Sequence, residues 1–150
     1  AEIVKSMTTL NRKASEIMLE VGVNACTDIT GFGLLGHVSE MIEGTDVGMV
    51  IDSAAVPFFP EAKELAGMGM IPGGLHRNRD FRKGMVDIAK SVPQYLEDIL
   101  FDPQTSGGLL IAVPERKAPE LLERLHQEGV SEAAIIGEVA AEPRGRIRVG

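Results

Sequence analysis

Apolar residues recur every three or four positions near the start of the chain, which is the spacing of one face of an α-helix. They are Ile3, Met7, Leu10, Ala14, Ile17, Met18 and Val21. Polar residues fill most of the positions between them, and the glycine that follows, Gly22, is a typical helix stop. The pattern predicts a single helix over residues 3–21.

Farther along, short apolar runs alternate with segments of helical spacing. The leucine-rich segment that follows Pro119 is typical of an amphipathic helix, and the apolar run that ends at Val113 is typical of a strand buried on both faces. The predicted elements, in chain order, are strand 23–29, helix 31–43, strand 47–51, strand 109–113, helix 117–127, strand 134–139 and strand 146–149.

The stretch from residue 57 to residue 84 interrupts this pattern, because proline, glycine and arginine are frequent in it. We predict a short helix over residues 61–66, a long loop after it, and a helix over residues 85–90. Loops longer than about 12 to 15 residues are usually functional or mobile. Together, the elements predict an α/β (α+β) domain with layered architecture.

The chain has 150 residues, of which 44% are hydrophobic and 25% are charged, which is typical of one globular domain. No apolar run approaches the ~18 residues of a membrane span. The formal net charge of -7 and the scarcity of aromatic residues argue against nucleic acid as a partner. The single cysteine, Cys26, excludes an internal disulfide, and no signal peptide opens the sequence, so we expect a cytoplasmic protein.

The segment from residue 25 to residue 37 is the first candidate for chemistry. Gly31, Gly33 and Gly36 form a G-x-G-x-x-G pattern, and Asp52 follows the next predicted strand, as in a dinucleotide-binding motif. Asp28 could instead bind Mg²⁺ beside phosphate oxygens. A third possibility is purely structural, with Asp28 or the nearby threonine at position 30 capping the following helix.

The segment from residue 101 to residue 108 is the second candidate. The hydroxyl groups of Thr105 and Ser106, with the amides of Gly107 and Gly108, could bind an oxyanion, although turns of this composition often form only local hydrogen bonds. The basic residues from 77 to 82 could meet phosphate or form a solvated surface. Cys26 is interpreted as a small buried residue, and the three histidines have no zinc-site spacing.

Two sequence segments, ACTDITGFGLLGHVSEM at residues 25–41 and DPQTSGGLLIAV at residues 102–113, resemble the signature segments of the selenophosphate synthetases, also called selenide, water dikinases. Specifically, they resemble the C-terminal domain of that family. The segments MTTLN, PGGLHRN and VPERKAPELLERL occur in the order found in that domain. The wider group, which includes aminoimidazole ribonucleotide synthetase, implies a layered α/β domain with a mixed sheet flanked by helices, and in it TGFG is no NAD site.

The resemblance implies an enzyme that converts ATP, selenide and water to selenophosphate, AMP and phosphate. In this family the N-terminal domain carries the reactive Cys or selenocysteine, an essential lysine and most ligands of ATP and Mg²⁺, and no segment here resembles it. Residues 1–150 are therefore expected to be a single C-terminal domain whose N-terminal ATP-binding domain is absent, and to be inactive alone. The full-length protein is expected to be a homodimer.

The resemblance also assigns residues. It implies that Asp28 is a Mg²⁺ ligand, and we expect Asn78, Thr105, Ser106 and Gly107 to lie at the rim of the active site. No catalytic residue is expected in this chain. Two alternatives remain at this point, an NAD-binding module and a non-catalytic accessory or dimerisation domain.

Overall fold

A computed structural model of the chain describes residues 2–150. Two short 3₁₀ turns, at Ser53–Ala55 and Glu115–Lys117, accompany the regular elements. In chain order, these elements are α1 (Glu2–Thr8), α2 (Arg12–Val21), β1 (Ala25–Asp28), α3 (Gly33–Ile42), β2 (Gly48–Ile51), α4 (Pro60–Gly67), α5 (Gly73–Arg82), β3 (Val86–Ile88), α6 (Gln94–Phe101), β4 (Leu109–Ala112), α7 (Ala118–Gln127), β5 (Gly137–Ala140) and β6 (Ile147–Val149).

A four-stranded mixed sheet with the order β3-β6-β2-β5 forms one layer of the domain. Strand β2 is antiparallel to β5 and parallel to β6, and β6 is parallel to β3. Helices α3, α5 and α6 contact one another, and α3 also contacts β2 and β6. The predicted layered α/β domain with a mixed sheet flanked by helices is therefore confirmed.

The larger hydrophobic core lies between this sheet and the helices. Its buried members come from α3, α5, α6 and three of the four strands, because each of these elements has one apolar face. They are Leu35, Val38, Ile42, Met49, Ile51, Leu75, Val86, Leu100, Phe101, Ile147 and Val149.

A second, smaller core lies beside an antiparallel ribbon formed by β1 and β4. The buried residues of this smaller core come from α2 and α7, and the strands of the ribbon are only partly buried against it. The prediction that the strand at residues 109–113 is buried on both faces is therefore wrong. Strand β4 pairs with β1 alone, so its apolar run covers a small core and does not cross the centre of the main sheet.

The predicted helix over residues 3–21 is also wrong in one respect, because it is divided into α1 and α2. At the end of α1, the hydroxyl groups of Thr8 and Thr9 donate hydrogen bonds to carbonyl groups of Val4 and Lys5. Such local side-chain bonds compete with continuation of a helix. The second helix ends at Val21 before Gly22, which has a φ of 81° and confirms the predicted stop.

The middle of the chain differs most from the prediction. Helix α5 occupies much of the predicted loop, residues 85–90 contain strand β3, not a helix, and α6 was not predicted. Helix α5 begins with two glycines and buries only Leu75, so it has little apolar periodicity. No helix within residues 2–150 is both long enough and apolar enough to cross a membrane.

Candidate functional site

The two candidate segments, residues 25–37 and residues 101–108, lie side by side. Ile29 follows β1 and forms two backbone hydrogen bonds with the turn before β4: its N–H donates to the carbonyl of Gly108, and its carbonyl accepts from the N–H of Gly107, each at 2.9 Å. The N–H of Gln104 also donates to the carbonyl of Thr30 at 3.0 Å. Antiparallel pairing of β1 with β4 thus brings both candidate segments to one end of the ribbon.

Asn78 joins this arrangement from α5. Its side-chain Nδ2 donates to the carbonyl of Gly31 at 3.0 Å and to the carbonyl of Phe101 at 3.1 Å. Both hydrogens of the amide are therefore used to hold the turn before α3 against the end of α6. Asn78 lies beside the other candidate residues, and its contacts are structural.

Asp28 is the last residue of β1 and is exposed. Within residues 2–150, its carboxylate accepts no hydrogen bond and forms no ion pair. An exposed carboxylate with free oxygens is a suitable hard ligand for Mg²⁺. The described residues contain no group of three or more His, Cys, Asp or Glu side chains that could hold a metal ion, so Asp28 fits as one ligand of an incomplete set.

The capping interpretation of this segment is wrong. Helix α3 begins at Gly33, and no side chain among residues 2–150 caps it. The Thr30 hydroxyl lies 3.1 Å from Nε2 of His37, and it is the Thr30 carbonyl that accepts the N–H of Gly33. Asp28 lies farther back, on the strand, and makes no capping contact.

Two of the three glycines of this segment, Gly33 and Gly36, have packing roles. Gly33 has a φ of 71°, and a Cβ placed there would lie 2.8 Å from the carbonyl carbon of Phe101. A Cβ on Gly36 would lie 2.6 Å from Cβ of Phe32, whereas one on Gly31 would meet nothing within 4 Å. Close approach of α3 to the end of α6 therefore requires the glycine at position 33.

The geometry also excludes the dinucleotide interpretation. A dinucleotide-binding motif requires a parallel β-α-β unit. Here β1 is antiparallel to β4 and lies outside the sheet that contains β2. Asp52, the candidate ribose ligand, accepts a hydrogen bond from the N–H of Ala54 and begins a 3₁₀ turn. The NAD-binding alternative is therefore wrong.

The turn before β4 is only partly available to a ligand. Thr105 and Ser106 are exposed, and within residues 2–150 neither hydroxyl forms a hydrogen bond. Gly107 is different, because its N–H bonds to Ile29 and its carbonyl accepts from Nδ2 of Asn11 at 3.0 Å. The oxyanion interpretation therefore does not hold for the Gly107 amide, whereas the two hydroxyl groups stay accessible.

Two ionisable groups near the turn have a raised pKa. Burial raises the pKa of the Asp102 carboxyl, and a hydrogen bond from Gln104 partly offsets this effect. Burial, and secondarily the negative charge of Asp28, raises the pKa of the Cys26 thiol. Cys26 is half-buried and remains a thiol at neutral pH, which agrees with its interpretation as a filler residue and not a nucleophile.

His37 is the residue that the sequence analysis did not connect to this site. It lies on α3, is buried, and contacts Thr30 through Nε2. The available signal was its spacing of four residues from Gly33, because residues four apart share one face of a helix. That face is the one that α3 turns toward the interior.

Comparison with solved structures supports the fold. The chain matches E. coli HypE with a TM-score of 0.67 and 21% sequence identity, over 96% of this chain and 36% of that protein. At this identity the likeness concerns the fold alone.

Two relatives are more similar in sequence. A protein of Pelobacter propionicus named "Selenide, water dikinase" is 51% identical over 147 residues, which cover 98% of this chain and 42% of that relative. A protein of Caldanaerobacter subterraneus subsp. tengcongensis with the same name is 53% identical over 136 residues, which cover 91% of this chain and 39% of that relative. The chain thus spans about two fifths of the length of these curated relatives.

A family model described as "AIR synthase related protein, C-terminal domain" matches residues 2–150. This match covers all of the elements of the layered domain, including the ribbon that carries Asp28 and the turn that precedes β4. The chain therefore belongs to the family of AIR synthase related proteins, as a C-terminal domain of that family.

Proposed function

We propose that residues 1–150 are the C-terminal domain of a selenide, water dikinase. The observation that carries this proposal is the 51% identity to the Pelobacter propionicus protein of that name over 98% of the chain. The reaction would convert ATP, selenide and water to selenophosphate, AMP and phosphate. A non-catalytic accessory domain is the remaining alternative.

The contribution of this chain would centre on Asp28. Its exposed carboxylate has no internal partner among residues 2–150, so both oxygens are open to a cation. Bound Mg²⁺ would neutralise the charge that develops on phosphate oxygens during P–O cleavage. Because residues 2–150 contain no group of three or more acidic, histidine or cysteine side chains that could hold a metal ion, further ligands would come from elsewhere in the enzyme.

We further propose that the missing part is an N-terminal domain that supplies the nucleophile, most ATP contacts and the other Mg²⁺ ligands. The relatives are more than twice as long as this chain, which leaves room for such a domain. The exposed hydroxyl groups of Thr105 and Ser106 would face it at the rim, while Asn78 and Gly107 hold the rim in shape. The complete enzyme would be a cytoplasmic homodimer.

The direct test is a graft in which this chain replaces the matching segment of the Pelobacter propionicus protein. We expect this graft to form AMP in a selenide-dependent reaction, and the 150-residue chain alone to form none. Asp28→Asn should strongly lower the activity of the graft and raise its requirement for Mg²⁺. The same substitution should change the unfolding free energy of the chain by no more than about 0.5 kcal/mol, because the exposed side chain has no internal contact.

Asp46→Asn is the matched control, because Asp46 is also exposed and has only a surface ion pair with Arg144. Such pairs are worth at most about 1 kcal/mol. An inactive wild-type graft, or AMP formation by the isolated chain, would contradict the proposed function. Full activity of the Asp28→Asn graft would contradict the role of Asp28 and favour an accessory domain.

A further inference from the structure

A buried histidine contacts the turn that follows the candidate metal ligand. His37 on α3 is 6% exposed. Its Nε2 lies 3.0 Å from the backbone nitrogen of Thr30 and 3.1 Å from the hydroxyl oxygen of the same residue. Thr30 is two residues beyond Asp28, in the turn that connects β1 to α3.

These contacts determine the form of the imidazole. A backbone N–H can only donate, so Nε2 must be the unprotonated acceptor, and in the neutral ring Nδ1 then carries the hydrogen. Nδ1 lies 3.0 Å from Oε2 of Glu40. The negative charge of this carboxylate favours a hydrogen on Nδ1. Within residues 2–150, the contact between Nδ1 of His37 and the Glu40 carboxylate is not aligned as a hydrogen bond. The Glu40 side chain is partly exposed.

Thr30 is held on its other side by backbone groups. Its carbonyl accepts the N–H groups of Gly33 and Gln104, each at 3.0 Å. Its own N–H and hydroxyl have His37 as their partner in the described part of the chain. The contact with His37 therefore fixes the N–H side of Thr30 to α3, and it acts beside the bond from Asn78 to the carbonyl of Gly31.

We propose that His37 is a positioning residue that acts through Thr30. In its neutral Nδ1–H form, with the carboxylate of Glu40 beside it, His37 fixes the turn after β1 and so presents Asp28 toward its cation. This inference rests on the proposed function, since the orientation of Asp28 matters only if Asp28 binds a metal. Groups that orient a ligand in this way typically affect metal affinity or activity by about 10- to 100-fold.

The first measurement needs only the 150-residue chain. The ¹⁵N NMR shifts of the His37 ring at neutral pH should show a protonated Nδ1 and an unprotonated Nε2. Hydrogen exchange at the Thr30 amide should be slow. A ring with hydrogen on Nε2, or an imidazolium, would overturn the proposal without reference to any activity.

The second measurement compares three substitutions, in the chain and in the graft with the Pelobacter propionicus protein. His37→Leu removes the acceptor, His37→Gln keeps an acceptor oxygen, and His126→Leu is the control because His126 is exposed on α7. We expect His37→Leu to speed exchange at Thr30 by about 10-fold or more, while the buried amides of α3 stay protected. In the graft it should raise the Mg²⁺ concentration for half-maximal activity by about 10-fold or more.

His37→Gln should restore most of the slow exchange at Thr30 and most of the Mg²⁺ affinity of the graft. His126→Leu should change neither quantity. If His37→Leu unfolds the chain, His37→Gln and the ring shifts decide the question, because the Gln variant must then retain slow exchange at Thr30. Unchanged exchange and unchanged Mg²⁺ dependence in His37→Leu would overturn the proposal. An inactive wild-type graft would instead contradict the proposed function, and the ring shifts and exchange rates would still support or overturn the positioning by His37.

Discussion

The two hydrophobic cores differ in how completely they exclude water. The larger core has eleven buried hydrophobic residues, and eight of them are less than 2% exposed. The smaller core has five, which are between 4% and 8% exposed, and Leu19 on its helix α2 is 72% exposed. The larger core is therefore the main source of stability, and the smaller core attaches the ribbon to it.

The candidate site lies where these two regions meet. Strand β1, which ends at Asp28, belongs to the ribbon, whereas α3 contributes several residues to the larger core. The turn between them is held by Asn78, Gly33 and His37, which all connect it to the helices of the larger core. The less buried ribbon thus carries Asp28, and contacts with the helices of the larger core hold the turn that follows it.

Truncation of one leucine in each core tests this difference most strongly. Leu35→Ala, at a site with 0% exposure, should lower the unfolding free energy by about 4 to 5 kcal/mol, which is the upper end for leucine truncations. Leu121→Ala in the smaller core should cost about 2 to 3 kcal/mol. Denaturant unfolding of both variants measures the two values, and equal losses would contradict the comparison.

Substitution of glycines in the turn tests how tightly it is held against the larger core. Gly33→Ala should cost about 2 to 4 kcal/mol, because the residue has a φ of 71° and its new Cβ would contact the backbone of Phe101. Gly31→Ala is the control, because a Cβ there meets nothing within 4 Å. It should change stability by less than about 1 kcal/mol, as measured by thermal unfolding. Similar effects of the two substitutions would show that the turn can move away from α6.

Asn78 tests the link between α5 and the turn. Asn78→Ala removes two hydrogen bonds to backbone carbonyl groups and should cost about 1 to 3 kcal/mol. Asn78→Asp should be more harmful at neutral pH, because it places a carboxylate against the carbonyls of Gly31 and Phe101. Urea unfolding of the two variants gives the two midpoint concentrations to compare. A higher midpoint for Asn78→Asp than for Asn78→Ala would exclude the hydrogen bonds of Asn78 as a source of stability.

Asp102 gives the smallest expected effect, through pH. Burial raises the pKa of this carboxyl above its ordinary value of 3.8, so the folded chain binds this proton more tightly than the unfolded chain. This contribution to stability is present at low pH and is lost as the pH rises through the raised pKa. The stability of Asp102→Asn relative to the unsubstituted chain should therefore increase as the pH rises from the ordinary pKa of 3.8 through the raised pKa, and then level off.

Thermal unfolding of Asp102→Asn and of the unsubstituted chain at a series of pH values measures this difference in stability. The opposite slope would show that the bond from Gln104 to the Asp102 carboxylate outweighs burial. Glu128 at the smaller core provides a contrast, because its hydrogen bond with Lys13 lowers the pKa of the Glu128 carboxyl. The contribution of Glu128 to stability therefore decreases as the pH falls.

Local patterns were sufficient for some elements. The leucine stripe of α7, with Pro119 in its first turn, predicted a helix within one residue of its observed start. The apolar runs that contain Met49 and Ile147 predicted two strands of the sheet. In α7 and β6 one face is apolar and polar residues face solvent, whereas β2 is apolar throughout and none of its residues is exposed, so the sequence reports burial directly.

Other elements depend on contacts that a local pattern does not contain. Strand β3 has three residues and is a strand because Val86 and Ile88 pair with β6, about sixty residues later. Helix α6 carries Asp98 on a buried position, where it pairs with Arg79, and this charge obscured the apolar face. The same holds for the site, because Asn78 and His37 act through bonds to distant or buried backbone groups.

The order of strands in the mixed sheet has a consequence for synthesis of the protein. Strand β6, at Ile147–Val149, lies between β2 and β3, although it is made roughly sixty to one hundred residues after them. A nascent chain that has not reached Ile147 holds β2 and β3 without the strand that joins them. The sheet therefore closes only after translation has passed this point, and until then the facing edges of β2 and β3 are unpaired, which is a condition that favours aggregation.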